Sequence, residues 1–142
     1  MSDERSAAVC LVERAGRMLC VWNRRYHGWM MPGGMKEPTD VDLVATAIRE
    51  LEEESGLKAA PGLELVYEAP ADPSMVHPGR ATQVSVFRVT VHPTAMAEER
   101  EHGCPIAWLT REEFLDRVPF RAFYTKMFRK LDDDAAWRSA GT

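Results

Sequence analysis

The sequence predicts an α/β domain, and three stretches carry that prediction. Residues 82–92 alternate, with Val84, Val86, Val89 and Val91 set among polar neighbours, as a strand does. Residues 43–55 instead place Val44, Ala47, Ile48 and Leu51 at helical spacing, and the run stops at Gly56. Thr110 and Glu113 form a Thr-x-x-Glu capping box that opens a second helix. Strands and helices in this order give an α/β domain.

Taken in order, residues 7–13 alternate and are rich in small and branched side chains, which predicts a strand. Ala15-Gly16 is a turn signal, and residues 18–22 return as the second strand of a hairpin. A loop follows through Arg24, Arg25, Tyr26, His27, Gly28 and Trp29 into Pro32-Gly33-Gly34. Glycines there let the backbone approach a ligand and leave carbonyls free to face a metal. Asp40 or Asp42 caps a helix beginning near Leu43, and Gly56 closes it in the left-handed conformation with Leu57 packing back. Residues 63–68 read as a strand. Residues 69–80, holding Pro70, Pro73, Pro78 and Gly79, read as a long loop, and the acidic stretch 95–103 as another. Residues 106–109 are a short strand, and the helix capped by Thr110 runs through Arg117. Residues 120–131 form a last helix with Phe123, Met127 and Leu131 on one face, and residues 132–142 form a frayed tail. Without repeats or a linker, residues 1–142 make one domain.

At 142 residues and 45% hydrophobic, the chain holds enough core to fold alone. A net charge of −4 with no basic run argues against a nucleic-acid polymer as partner and suits a small substrate whose charge a metal neutralises. Cys10, Cys20 and Cys104 are odd in number and make no Cys-x-x-Cys pair, a usage that fits buried thiols in a reducing cytoplasm. The first ten residues are too polar for a signal peptide, and no apolar run approaches the ~20 residues needed to cross a bilayer. A soluble cytoplasmic protein with no membrane partner is expected.

Chemistry concentrates in the predicted first helix. Glu50, Glu53 and Glu54 stand at i, i+3 and i+4, so their carboxylates share one face. Three like charges that close repel unless a cation compensates, and hard oxygen ligands suit Mg²⁺ or Mn²⁺, which in turn suit phosphate oxygens. Three glutamates alone would more often be a solvated acidic face. Here they come in register with other residues: Pro32-Gly33-Gly34 upstream, then Arg49-Glu50-Leu51-x-Glu53-Glu54-x-Gly56-Leu57.

That pattern resembles the Nudix hydrolase signature of the MutT-like proteins. It departs from the signature at one point. The family pattern has a glutamate six residues after the second glycine and eight before the arginine. In this sequence Asp40 stands six after Gly34, whereas Val41 stands eight before Arg49, so the loop is one residue longer. The acidic role falls to Asp40, Glu37 or Asp42.

The resemblance implies an α/β/α sandwich with a mixed sheet between helices, and a hydrolase of nucleoside diphosphates linked to a further group. Attack of a metal-activated water on phosphorus is the implied reaction. Glu50, Glu53 and Glu54 are then metal ligands, joined by the Gly33 or Gly34 carbonyl, and Arg49 holds Glu50 in place. Glu101, with Glu98 and Glu99 behind it, is the expected further acid, as ligand or general base. Arg24 fits a phosphate-contacting position. Tyr26, His27 and Trp29 are candidates to stack on a base, with Trp29 equally suited to the core. His77 and Arg80 lie near the expected rim, and Trp22, Trp108, Phe114 and Phe123 are packing residues. The short chain favours a nucleoside triphosphate pyrophosphatase of housecleaning type. Nucleotide sugars and dinucleoside polyphosphates stay open as substrates, as does a catalytically silent nucleotide sensor. A homodimer is a frequent arrangement among such relatives.

Overall fold

A strand that is apolar on both faces needs cover on both sides, and residues 6–11 are such a run. The computed structural model of the protein describes residues 6–71 and 83–140. Its elements are β1 (Ser6–Leu11), β2 (Glu13–Arg14), β3 (Arg17–Asn23), β4 (Gly28–Met30), β5 (Gly33–Met35), α1 (Leu43–Ser55), β6 (Glu64–Pro70), β7 (Gln83–Arg88), β8 (Ile106–Leu109), α2 (Arg111–Arg117) and α3 (Arg121–Ala140).

β1 pairs in parallel with β7 and antiparallel with β5, giving a mixed sheet of order β5-β1-β7-β6. A second, antiparallel sheet joins β2, β3 and β4, with β8 on the other edge of β3. Alternation along β1 sorts its side chains to two cores. Val9 and Leu11 join Phe114 of α2 and Phe123, Tyr124, Met127 and Phe128 of α3. Ala8, Cys10 and Val12 join Ala47 and Leu51 of α1. The mixed sheet therefore lies between α1 on one face and α2 with α3 on the other, as an α/β/α sandwich. Each large side chain so buried contributes about 1.5–3 kcal/mol.

The first helix follows its local signals closely. Asp42 caps it by accepting from the Ala45 N–H at 2.8 Å, and Gly56 ends it at φ 77°. Its buried face is not the expected stripe, however. Ala47 and Leu51 are fully buried, but Ile48 is exposed, and Thr46 and Ser55 are buried beside them. The polar pair fits because Ser55 Oγ donates back to the Leu51 carbonyl, and Thr46 Oγ1 donates to Asp40. The Thr110–Glu113 capping box and β8 form as expected.

Other elements differ from expectation. The stretch from Gly28 to Gly34 is not loop but contributes β4 and β5, because Pro32 and both glycines run along β1 as its edge partner. Central between β1 and β6, β7 is buried on both faces from Val84 to Phe87 rather than on one. Residues 132–140, read as a tail, continue α3, where Lys130 pairs with Asp134 at 2.8 Å and Arg111 with Asp132 at 2.7 Å. Cys10 and Cys20 are buried, with burial pushing the Cys20 thiol up to about 12, while Cys104 is only half-buried. Thr82, His77 and Arg80 lie outside the described residues. No helix among the described residues is long and apolar enough to cross a membrane.

The β1–β5 seam leaves no room for a side chain at residue 33: a Cβ there would collide with the Ala8 carbonyl oxygen and the Val9 backbone. Gly33→Ala is expected to destabilise the fold by about 1–3 kcal/mol, seen as a drop of several degrees in calorimetric Tm.

Candidate active site

Arg49 is half-buried on α1, and almost every polar hydrogen of its guanidinium is used. Nε donates to Asp40 Oδ1 at 3.0 Å and Nη2 to Asp40 Oδ2 at 2.8 Å, a two-point clasp. Nη2 also reaches the Met35 carbonyl at 3.2 Å, and Nη1 reaches Glu50 Oε1 at 2.9 Å and Glu53 Oε2 at 3.3 Å. One side chain thus ties β5, the following loop and two helix glutamates together. Asp40 is 7% exposed and also accepts from the Glu37 N–H and Thr46 Oγ1, each at 2.9 Å. The Arg49 guanidinium and these donors hold its carboxyl well below the usual range. The extra loop residue is absorbed here: Val41 points into solvent at 89% exposed, and Asp40 takes the inward position. Of the other two acids, Asp42 is the helix cap, and Glu37 approaches Arg49 only at 3.5 Å from an exposed position.

Glu50 and Glu54 sit one turn apart on α1, and each carboxyl acts electrostatically on the other. Burial pushes the Glu54 carboxyl up to about 9, and the adjoining Glu50 adds to the rise. Burial also pushes Glu50 up, against the pull of its bond from Arg49. Glu54, raised in this way, has no ion-pair partner among the described residues, whereas Glu50 keeps Arg49 at 2.9 Å. Glu54 Oε1 accepts from the Gly33 N–H at 3.0 Å, and a Cβ on Gly34 would stand 2.5 Å from Glu50 Oε1. The bare backbone at residue 34 is what lets Glu50 lie flat against β5.

The two glycine carbonyls are not equivalent. The bonds from Cys10 N–H to Pro32 O and from Lys36 N–H to Ser6 O bracket the ladder. Antiparallel alternation then turns the Gly34 carbonyl toward β1 and the Gly33 N–H and carbonyl away from it, toward α1. The outward bonds made by Gly33 N–H and the Met35 carbonyl follow the same alternation. Of the two candidate backbone ligands, Gly33 is the one left available.

Two cavities open beside this cluster. One, of about 300 Å³, is lined by Glu54, Glu101, Gly33, Arg24, Arg25 and Cys104 among others. The second, of about 240 Å³, is apolar, lined chiefly by Tyr26, Met30, Met31, Phe120 and Tyr124, with Asn23 as a polar neighbour. They adjoin at Asn23, Met30, Met31 and Gly33. Glu101 and Arg24 thus meet the glutamates, and Tyr26 stands in the apolar half, its ring edge-on to Phe120 at 4.8 Å. Glu98 pairs instead with Arg100, and Glu99 accepts from the Gly103 N–H. His27 and Trp29 are not brought to either cavity. His27 is an exposed turn residue at φ 51°, and Trp29 packs edge-on against Trp22 at 5.4 Å. Asn23, Met30, Met31, Phe120 and Tyr124 are residues that sequence reasoning missed. Only the position of Asn23, at the end of a strand beside Arg24, could have signalled its place.

Among the described residues no three His, Cys, Asp or Glu side chains are gathered at metal-binding range. Glu53, half exposed, leans on Arg49. What fits a hard cation is the Glu50–Glu54 pair, two partly buried carboxyls with oxygen donors and excess negative charge, with Glu53 on the same helical face and the Gly33 carbonyl opposite.

A family model described as the NUDIX domain matches residues 3–131. The solution structure of the E. coli ORF135 protein is similar at 26% identity and TM-score 0.63, over 89% of each chain. A MutT structure described for Aliivibrio salmonicida and Vibrio cholerae is similar in fold at 15% identity and TM-score 0.65, over 89% of this chain and 95% of that one. A NUDIX-family hydrolase from Clostridium perfringens superposes with TM-score 0.68 at 14% identity, over 91% of this chain and 97% of that one. No curated protein sequence matches the chain.

The Asp40 clasp has a stability signature. Its carboxyl has a depressed pKa in the folded state, so its contribution is complete above the ordinary carboxylate range and is lost as pH falls through the folded value. Asp40→Asn is expected to cost about 1.5–3 kcal/mol at neutral pH. In denaturant titrations that gap should close only below about pH 4, and Val41→Ala should stay within about 0.5 kcal/mol of wild type.

Proposed function

The chain belongs to the Nudix family, and on that premise we propose that it is a divalent-metal-dependent hydrolase of the diphosphate linkage in a nucleoside diphosphate derivative. A nucleoside triphosphate is the favoured substrate, cleaved to the monophosphate and pyrophosphate. The observation that carries this reading is the Glu50–Glu54 carboxyl pair, raised by burial, of which Glu54 lines a cleft that Arg24, Arg25 and Glu101 also line.

Glu50, Glu54 and Glu53, with the Gly33 carbonyl, would hold Mg²⁺ or Mn²⁺, which neutralises charge on the phosphoryl oxygens and acidifies the attacking water. Arg49 orients Glu50, and through the Asp40 clasp keeps the helix face turned to β5. Arg24 has no ion-pair partner among the described residues, and Arg25 only faces the Tyr26 ring, so both are available to phosphate oxygens. Glu101 lines the same cleft within electrostatic reach of Glu54, a position suited to a further ligand or to a base for water. The adjoining apolar cavity suits a nucleoside, with Tyr26 and Phe120 as aromatic walls. Free Cys10, Cys20 and Cys104 suit a reducing cytoplasm.

The contact of Glu53 with Arg49 favours one second reading, a Nudix-fold protein that binds a nucleotide without cleaving it. A panel of nucleoside triphosphates, nucleotide sugars and dinucleoside polyphosphates, assayed with Mg²⁺ and product analysis, separates the two. Hydrolysis is expected for at least one class and should vanish in excess EDTA; binding throughout with no product anywhere would establish the silent protein. Glu53→Gln should lower kcat at least ~100-fold with unchanged circular dichroism. An unaltered rate would leave Glu53 as a solvated partner of Arg49.

A further inference from the structure

Glu101 is exposed and belongs to residues 92–105, which form no strand or helix. It nevertheless lines the cleft beside Glu54 and is close enough to act on that carboxyl. Loops of this kind are mobile unless tied down, so the anchors of this one decide where its acid stands. Upstream, Arg14 donates to the His92 and Ala95 carbonyls at 3.1 and 2.9 Å. Downstream, Arg24 lies along Gly103, where a Cβ would stand 3.2 Å from its Cδ and Nη1. Between these points the loop meets the C-terminal end of α1. The Glu98 N–H donates to the Ser55 carbonyl at 3.0 Å, and the Arg100 guanidinium is pressed against Gly56. A Cβ on Gly56 would stand 2.6 Å from Nη2 and 2.7 Å from Nε, in space that any side chain would take.

Gly56 thus has two reasons to lack a side chain, its φ of 77° and the seat it gives Arg100. Charge favours the same contact. The last turn of α1 contains no basic residue, and Arg100 brings a cation to the partial negative charge of that helix end. Its Nη2 also pairs with Glu98 at 3.2 Å, which joins the two points where the loop touches α1. We propose that Arg100 is a positioning residue: seated on Gly56, its guanidinium docks the loop on α1 and so sets Glu101 beside Glu54. Glu54 and the seat are two residues apart on one helix, so the element that presents one acid also fixes the other. What Glu101 does in the cleft rests on the hydrolase reading above; the docking of the loop does not.

The test has two arms. In the full-length chain without substrate, amide hydrogen exchange followed by NMR reads the docking directly. Arg100→Ala should speed exchange of the Glu98 amide about ten-fold while leaving Tm nearly unchanged. In the Mg²⁺ assay, on the substrate the panel identifies, Arg100→Ala should lower kcat about ten-fold with KM within about two-fold of wild type. The same substitution should cost nothing further in a Glu101→Gln background, because it acts through that carboxylate. A general loosening of the fold would persist there. Unchanged exchange at Glu98 would overturn the proposal, since the loop would then hold without Arg100. A wild-type kcat in Arg100→Ala, additive losses in the double variant, or a Glu101→Gln protein as fast as wild type would overturn it as well. If no nucleotide yields product, the hydrolase reading fails by itself, and exchange at Glu98 alone decides whether Arg100 docks the loop.

Discussion

The clasp between Arg49 and Asp40 is the interaction on which the rest of the site depends. A guanidinium presents its donors in a fixed plane, and here that plane is filled by a loop carboxylate, a strand carbonyl and two helix carboxylates. The loop between β5 and α1 has no sheet or helix of its own to hold it, so the clasp supplies its tertiary anchor. With the loop pinned, α1 cannot rotate about its axis, and its acidic face must look at the Gly33-Gly34 backbone. Asp40 works in this place because its inward turn is closed locally by the Glu37 N–H and Thr46 hydroxyl. A carboxylate with one methylene fewer than glutamate can then reach Arg49 although the loop is a residue longer.

Local signals were legible in the sequence, and nonlocal ones were not. The helix cap, read as Asp40 or Asp42 and made by Asp42, the Gly56 stop and the Thr110–Glu113 box are encoded within a few residues of where they act. The grouping of Glu50 and Glu54 was legible for the same reason, since helical geometry puts i and i+4 on one face, whereas the hold of Arg49 on Glu50 was legible only through the family resemblance. β4 and β5 were hidden, because Gly28, Pro32, Gly33 and Gly34 read as loop residues until β1 lies alongside. Ile48 obeys the helical period yet faces solvent, since α1 is rolled toward Asp40 by Thr46 and Arg49. Residues 132–140 look like a solvated tail by composition but are held helical by ion pairs to Lys130 and Arg111, each worth little alone. The apolar cavity was the least legible part. Its lining comes from β1, β3, β4, β5, β7 and α3, and no single stretch carries its pattern.

The division of the site into an acidic half and an apolar half follows from how the sheets meet. Met30, Met31 and Gly33 lie at the boundary and line both cavities, so one short stretch of backbone separates two environments. Burial of the α1 carboxyls against the Gly33-Gly34 backbone accompanies the rise of Glu50 and Glu54 on the acidic side.

The parallel pairing of β1 with β7 has a bearing on how this chain acquires its structure. Ser6 must find Gln83, and every contact along the centre of the mixed sheet closes a loop of comparable span. Such pairing loses chain entropy before it gains contacts, and it slows folding relative to domains built from neighbouring segments. During synthesis β1 would emerge with neither long neighbour present, its apolar edges exposed until more than half of the chain has been made. The first strand released is thus among the last to be fully paired.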